Sequence, residues 1–327
     1  MSTPDPRWLG ALLQDTKVTD ICINGGSAFA DSGRGLEPVP DSGWAPEPLK
    51  AWVLEQISLA GRSWDARHPF IDAPVRGTHR LHAAFPPVAR GGILVSLRRL
   101  PGQSAHSPEA ARAAARTRWD SDSCELLAAA VRAGDSVLIA GATGSGKTTL
   151  AGDLLAEVPA HERLIALEDT PELAPAHPHF VTLLSRAANA DGFGEVTLRA
   201  LLRQVLRMRP DRVILGECRG GEVLELLQAL NTGHQGALAT LHANSPRDAL
   251  RRMELLCLIA AGAAIPVPVI RELIASGIRW VVHVRRHGER REISEIARLE
   301  GREGDTLLLR TLRASPPASS AFQLRNS

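Results

Sequence analysis

The spacing of apolar residues changes about one third of the way along the chain. Over residues 1–99 the apolar runs are short and alternate with polar positions. VTDICI (18–23) is strand-like and meets the turn signal Asn24-Gly25-Gly26. Residues 46–60 (PEPLKAWVLEQISLA) put Leu49, Val53, Leu54 and Ile57 on one helical face. THRLHAAF (78–85) and GGILVSLRRL (91–100) read as further strands. These segments predict a small N-terminal α+β domain, 1–99. The Pro-, Gly-, Ser- and Ala-rich stretch 100–118 reads as a linker, partly helical.

From residue 119 the pattern becomes one of continuous apolar runs between amphipathic segments. Helix 123–132 leads to strand 136–140 (SVLIA), a glycine loop and helix 147–157. Strand 163–168 (RLIALE) precedes an irregular Pro- and His-rich stretch and helix 196–208. Strand 211–217 (DRVILGE), helix 221–231 and strand 236–242 (GALATLH) follow. Strands apolar on both faces, separated by helices, predict a mostly parallel sheet. Helices 245–262 and 267–276 and a hairpin over 280–299 complete a domain at 119–300. Residues 301–327, ending in SPPASSAFQLRNS, are expected to be disordered.

Composition narrows the picture modestly. The 327 residues, 44% hydrophobic and 23% charged with a net charge of +2, suit a two-domain globular chain with no global attraction to nucleic acid. Aromatics at 4% leave no stacking platform for bases, so direct nucleic-acid binding is not expected. Cys22, Cys124, Cys218 and Cys257 form no CxxC pair and give neither zinc nor redox signals. The N-terminus lacks the basic and apolar regions of a signal peptide, and the longest apolar run, Leu255–Ile265, is too short to span a bilayer. A cytosolic location is expected, with any membrane attachment made through partners.

The candidate chemistry lies in the second domain. Gly141-Ala142-Thr143-Gly144-Ser145-Gly146-Lys147-Thr148 is a complete G-x-x-x-x-G-K-T between a strand and a helix, with Thr149 next. Such a loop wraps backbone N–H groups around phosphates, Lys147 reaches the β- and γ-phosphates, and Thr148 ligates Mg²⁺. Lys147 is one of only three lysines beside 35 arginines, which makes its position informative. ATP and Mg²⁺ are the expected ligands. Glu217 ends the apolar run VILG and is placed to hold Mg²⁺, directly or through water, or to orient the attacking water. Gly216 occupies the position where many P-loop enzymes carry Asp. A second acidic group, Glu168-Asp169-Thr170-Pro171-Glu172, ends another strand and supplies Glu168 as a metal candidate and Glu172 as a catalytic one. His242 ends a third strand and could sense the γ-phosphate.

In their order, the P-loop, EDTPE, RMRPDRVILGECRG and NTGHQGALATLHANSPRDAL resemble the type II/IV secretion and pilus motor ATPases, most closely the CpaF/Tad branch that powers Flp-type pili. Those blocks correspond to the family's Walker A (141–148), Asp box (168–172), Walker B (213–217) and His box (233–242). The resemblance runs from about Val18 to Glu300 and is most specific over Arg207–Leu250. It implies an α/β fold: a RecA-like P-loop NTPase core with a smaller α+β N-terminal domain. It also implies a homo-hexamer, inner-membrane platform proteins as partners, work at the inner face of the cytoplasmic membrane, and arginines that reach the phosphates from the first domain, matched by Arg80 and Arg98; Arg186, after the Asp box, and Arg219, just after the Walker B, match further family arginines. Pro74 and Leu184-Ser185 depart from the family pattern. A conjugal-transfer ATPase and a weakly hydrolysing assembly scaffold are the alternatives. The residues leave open whether Glu217, Glu172 or both position the water.

Overall fold

Alternation in the N-terminal segments folds them into a half-buried sheet. In the computed structural model, described for residues 6–315 apart from 34, 63, 66–68, 101–106, 189–191 and 288–289, the chain divides into two units. The N-terminal unit comprises Met1–Gly102, Thr170–Glu172 and Leu184–Thr197, and the core unit the remainder. The first contains α1 (Arg7–Gln14), β1 (Asp20–Asn24), β2 (Ser27–Asp31), β3 (Leu36–Pro38), α2 (Pro46–Leu59), β4 (Phe70–Val75), β5 (His79–Ala84) and β6 (Leu94–Arg99). Its sheet runs β3-β2-β1-β6-β5-β4, antiparallel throughout. Ile21, Ile23, Leu81, Ala83, Val95 and Leu97 point inward and share a core with Leu49, Trp52, Val53 and Ile57 of α2. The alternate positions, Asp20, Arg80, His82 and Arg98, face the other way. Pro74 sits on the edge strand β4, where its missing N–H breaks no interior ladder.

The core unit contains α3 (Pro108–Arg118), α4 (Ser121–Arg132), β7 (Val137–Gly141), α5 (Lys147–Leu155), β8 (Leu164–Glu168), β9 (Phe180–Leu184), α6 (Leu198–Val205), β10 (Arg212–Leu215), α7 (Glu222–Asn231), β11 (Leu238–Leu241), α8 (Pro246–Ala261), α9 (Val267–Gly277), β12 (Trp280–His287), β13 (Arg290–Glu303) and β14 (Thr306–Ala314). The sheet order is β14-β13-β12-β7-β11-β10-β8-β9. Strands β12, β7, β11, β10 and β8 are mutually parallel, and β13 and β14 extend the sheet antiparallel. Consecutive residues of β7 serve different cores. Leu138 and Ala140 join the core built with α6–α9, whereas Val137 and Ile139 join the one built with α4 and α5. That double burial is why the central strands are apolar at every position.

One expectation is made specific and another corrected. The helical part expected within 100–118 is helix α3 over 108–118, N-capped by Ser107 Oγ, which accepts from Ala110 N at 3.2 Å. Its alanines and arginines are strong helix formers, and Arg118 ties it to Asp153 of α5 at 2.6 Å. The expected disorder over 301–327 is wrong for 301–314. There β13 continues and β14 pairs with it, with Leu307, Leu309 and Leu312 packed on the two cores. The alternation in TLLLRTLRA outweighs the loop-like composition that follows it. Residues 316–327 of that segment, and 101–106 of the expected linker, lie outside the described residues.

Candidate functional site

The parallel strands of the core all end at one edge of the sheet, and each delivers one group there. β7 runs into the glycine loop, β8 ends on Glu168, β10 is followed by Glu217, and β11 by His242. This is where open α/β sheets bind ligands. The loop turns through Gly146, which caps α5 with φ +103. A Cβ at Gly146 would lie 3.0 Å from Arg291 Cδ and 3.2 Å from the Trp119 ring, so a side chain there would be strained by the backbone angle and would crowd both neighbours.

Lys147 is 7% exposed. Its Nζ donates to the carbonyls of Gly141 at 3.1 Å and Ala142 at 2.9 Å, and approaches His242 Nδ1 at 3.3 Å. On the other side of the ring His242 Nε2 lies 2.9 Å from Glu217 Oε1, and Glu217 Oε2 accepts from Arg219 Nη2 at 2.6 Å. Arg219 also approaches Asp169 at 3.6 Å. A continuous polar chain therefore runs Lys147–His242–Glu217–Arg219.

The electrostatics fix the charge states along it. Burial works to raise the Glu217 pKa, but Arg219, His242 and Lys147 together outweigh it, and the carboxyl is held below its ordinary value. Burial, and then the Lys147 charge, lower the His242 pKa against the opposing pull of Glu217. A neutral imidazole that donates from Nε2 to Glu217 and accepts at Nδ1 from Lys147 satisfies both contacts.

The loop that carries Glu217 is pinned from several directions. The Thr240 hydroxyl donates to the Gly216 carbonyl at 2.5 Å, and Cys218 N donates to Thr240 O at 2.8 Å. Glu222, buried at the start of α7, accepts from Arg219 N at 2.6 Å and Gly220 N at 2.7 Å. Sequence reasoning passed over Glu222 and Thr240. An acid in the first turn after ECRGG was the available signal for Glu222. Gly216 has a steric reason: a Cβ there would lie 2.8 Å from Glu168 Cγ. Glu168 is 2% exposed, and its Oε1 accepts from Leu173 N at 3.0 Å, shaping the turn after β8.

The sequence-predicted residues therefore divide between the units. Gly141, Ala142, Thr143, Gly144, Ser145, Gly146, Lys147, Thr148, Thr149, Glu168, Glu217, Arg219 and His242 belong to the core unit. Arg80, Arg98, Glu172 and Arg186 belong to the N-terminal unit. Arg80 and Arg98 are direct cross-strand partners there, paired with Asp72 at 3.0 Å and Asp20 at 3.5 Å. Arg186 Nε donates to Gly194 O at 2.7 Å and its backbone bridges to Val196.

The core loop fits a nucleotide phosphate chain. Ser145 Oγ is buried within it with no hydrogen-bond partner, Gly146 holds a backbone angle that disfavours any side chain, and one ammonium group stands at the loop's mouth. Among the described residues, no group of three His, Cys, Asp or Glu side chains could hold a metal by itself. Among the described residues, no helix is long and apolar enough to cross a membrane.

Residues 74–291 match the family described as type II/IV secretion system proteins. The chain belongs to this family. It is 41% identical over 305 residues to Rv3659c of Mycobacterium tuberculosis, named for conjugal transfer, covering 90% of this chain and 85% of that protein. It is 32% identical to the type IV secretion system protein PtlH of Bordetella pertussis, over 87% of this chain and 91% of PtlH. In fold it is similar to the Legionella pneumophila ATPase DotB, with a TM-score of 0.61 at 20% identity over 88% of this chain and 81% of the other.

Proposed function

We propose that the protein hydrolyses ATP to drive a ring-shaped motor of a secretion or pilus-assembly system. The observation that carries this reading is the polar chain Lys147–His242–Glu217–Arg219 at the mouth of the glycine loop. Lys147 exchanges its bonds to the Gly141 and Ala142 carbonyls for charge-assisted ones to the β- and γ-phosphates. That movement takes a donor from His242 Nδ1, so phosphate occupancy is transmitted to the ring that holds Glu217. Glu217, ionised at neutral pH, orients the attacking water and holds Mg²⁺ directly or through water. Thr148 is the direct Mg²⁺ ligand, and Glu168 shapes the metal side. Bound Mg-ATP supplies the phosphoanhydride whose cleavage releases the work.

On this reading Arg80 and Arg98 stabilise charge on the transferring phosphate, Glu172 supports the water, and the working form is a homo-hexamer. The ring acts at the inner face of the cytoplasmic membrane, held by platform proteins. The overall resemblance to the Flp/Tad pilus branch supports the first reading, although the blocks over 207–250 are shared by both branches and do not separate them. The 41% identity to a protein named for conjugal transfer favours the second reading, a type IV transfer motor. The purified chain should turn over ATP, and Glu217→Gln should bind ATP while losing roughly 10² in rate. Wild-type turnover in Lys147→Ala would overturn the proposal. Capture of a small pilin rather than relaxed DNA complexes by the ring in its host separates the two branches.

A further inference from the structure

The glycine loop has two flanks, set by the strands on either side of β7. On the β11 side stand His242 and, one strand further, Glu217, the acid and ring toward which Lys147 points. On the β12 side stands the β12–β13 hairpin. Val284 is in register with Gly141, so β12 runs on past the end of β7 and over the loop. Two residues further, about 7 Å on, Arg286 of β12 is the direct cross-strand partner of Arg291 of β13. Partners in a ladder project to the same face, which here is the face of Val284 and Ile293, packed with α5.

Arg291 is not a distant surface charge. Its Cδ lies where a Gly146 Cβ would be only 3.0 Å away, and its Nη1 donates to Thr149 Oγ1 at 3.3 Å. Its guanidinium thus lies against the first turn of α5, on the flank opposite the Lys147–His242 contact. The bond to Thr149 is long and its surroundings are exposed, so this contact is one that a stronger, charge-assisted bond to an anion would replace.

The two flanks give a bound nucleotide a polarity. If the γ-phosphate is drawn to the Lys147, His242 and Glu217 side, the chain of phosphates passes over Gly146 and its α-phosphate end leaves toward the hairpin. We propose that Arg291 binds the α-phosphate of the nucleotide, with Arg286 adding positive potential on the same flank. This rests on the nucleotide-binding reading above and deepens it. Arg291 then holds the part of the nucleotide common to ATP and ADP, whereas Lys147, His242 and Glu217 read the terminal phosphate. Arg291 would then help to retain ADP after hydrolysis.

The test uses the full chain with Mg-ADP, Mg-ATP and ADP carrying sulfur in place of one α-phosphate oxygen. Kd values are measured for wild type, Arg291→Ala and Arg291→Lys, each first shown by thermal melting to be folded. Losing one charge-assisted contact should weaken ADP and ATP alike by about 10- to 100-fold, and Arg291→Lys should recover part of that, keeping the charge but not the fork. The wild type should discriminate between ADP and its α-thio analogue, and Arg291→Ala should lose that discrimination. Unchanged ADP affinity in Arg291→Ala overturns the proposal. So does an affinity loss in which the ratio of ADP to α-thio analogue stays at its wild-type value, because then Arg291 only props the loop. Should Arg291→Ala fail to fold, the same ratio read on Arg291→Lys decides. A wild-type protein that binds neither ATP nor ADP fails earlier, at the nucleotide reading itself.

Discussion

The two units hold their candidate functional charges in opposite ways. In the N-terminal unit Arg80 and Arg98 stand side by side on the outward face of an antiparallel sheet, each held by its own aspartate. Arg98 keeps 49% of its side chain exposed and its ion pair is 3.5 Å long. Ion pairs of that kind are worth at most about 1 kcal/mol, so these arginines can change partners cheaply. In the core unit Lys147 is buried and its contacts continue through His242 and Glu217 to Arg219, each group setting the charge state of the next. Such a chain is costly to disturb and preorganised for one task. The contrast is one between loosely held surface charges and a linked, part-buried chain of them.

The sharpest way to break the comparison is to cut the core chain at its start. Lys147→Ala should lower ATP turnover by about 10³ or more and weaken ATP binding, since the β- and γ-phosphates lose their main cation. The same change should raise the His242 pKa, because Lys147 is among the groups that lower it. Titration of His242 by NMR reads that directly, and an unmoved His242 pKa would show that the Lys147–His242 contact does not exist in solution.

The loosely held arginines come next. Arg98→Ala should cost about 10³ in turnover, the usual scale of an arginine that neutralises transition-state charge, and Arg98→Lys nearly as much. Asp20→Asn, by contrast, should change the unfolding free energy by about 0.5 kcal/mol or less. A mixture of inactive Arg98→Ala and inactive Lys147→Ala chains should regain activity if Arg98 serves a neighbour's site in a ring. No recovery would mean that it serves its own chain.

Within the core, Glu217→Gln should cost about 10² in turnover with ATP binding retained. Glu172→Gln should cost less, since Glu172 lies outside the polar chain. The reverse order of damage would exchange the two roles.

Much of the core was legible because its rules are local. A P-loop between an apolar strand and a helix declares itself, and acids or histidines after apolar runs fall at a sheet edge wherever the sheet is parallel. What escaped was set by partners distant in sequence. Gly216 is small because Glu168, 48 positions earlier, fills its space. β14 forms because β13 offers it an edge. Strands β2, β3 and β4 of the N-terminal unit went unpredicted for the same reason: short strands with glycine and proline depend on their neighbours for definition. The placement of Arg80 beside Arg98 is likewise a matter of register, which no single segment reveals.

The smallest effect separates the two units by pH. His79 of β5 is buried beneath the sheet, and its Nε2 has no hydrogen-bond partner. Burial, then Arg99 and Arg76, push its pKa from 6.5 down to about 4. Between those values the unfolded chain binds a proton that the folded one refuses, so unfolding takes up a proton and stability rises with pH. The N-terminal unit should lose on the order of 2–3 kcal/mol as pH falls from about 7 to 4. Glu217 has the opposite character: its pKa lies below the ordinary 4.5, so its contribution is intact above that value and fades only as pH falls through its lower folded pKa. Acidification also works against the core through His242, whose pKa is lowered in the same direction, but the larger shift of His79 should make the N-terminal unit soften first while Glu217 keeps its charge. Thermal melts at pH 7 and 5, followed by hydrogen exchange resolved to each unit, test this. His79→Met should flatten the N-terminal slope while leaving the core's response alone. If the slope survives that substitution, the acid sensitivity belongs to another group, and the buried histidine is not what distinguishes the two units.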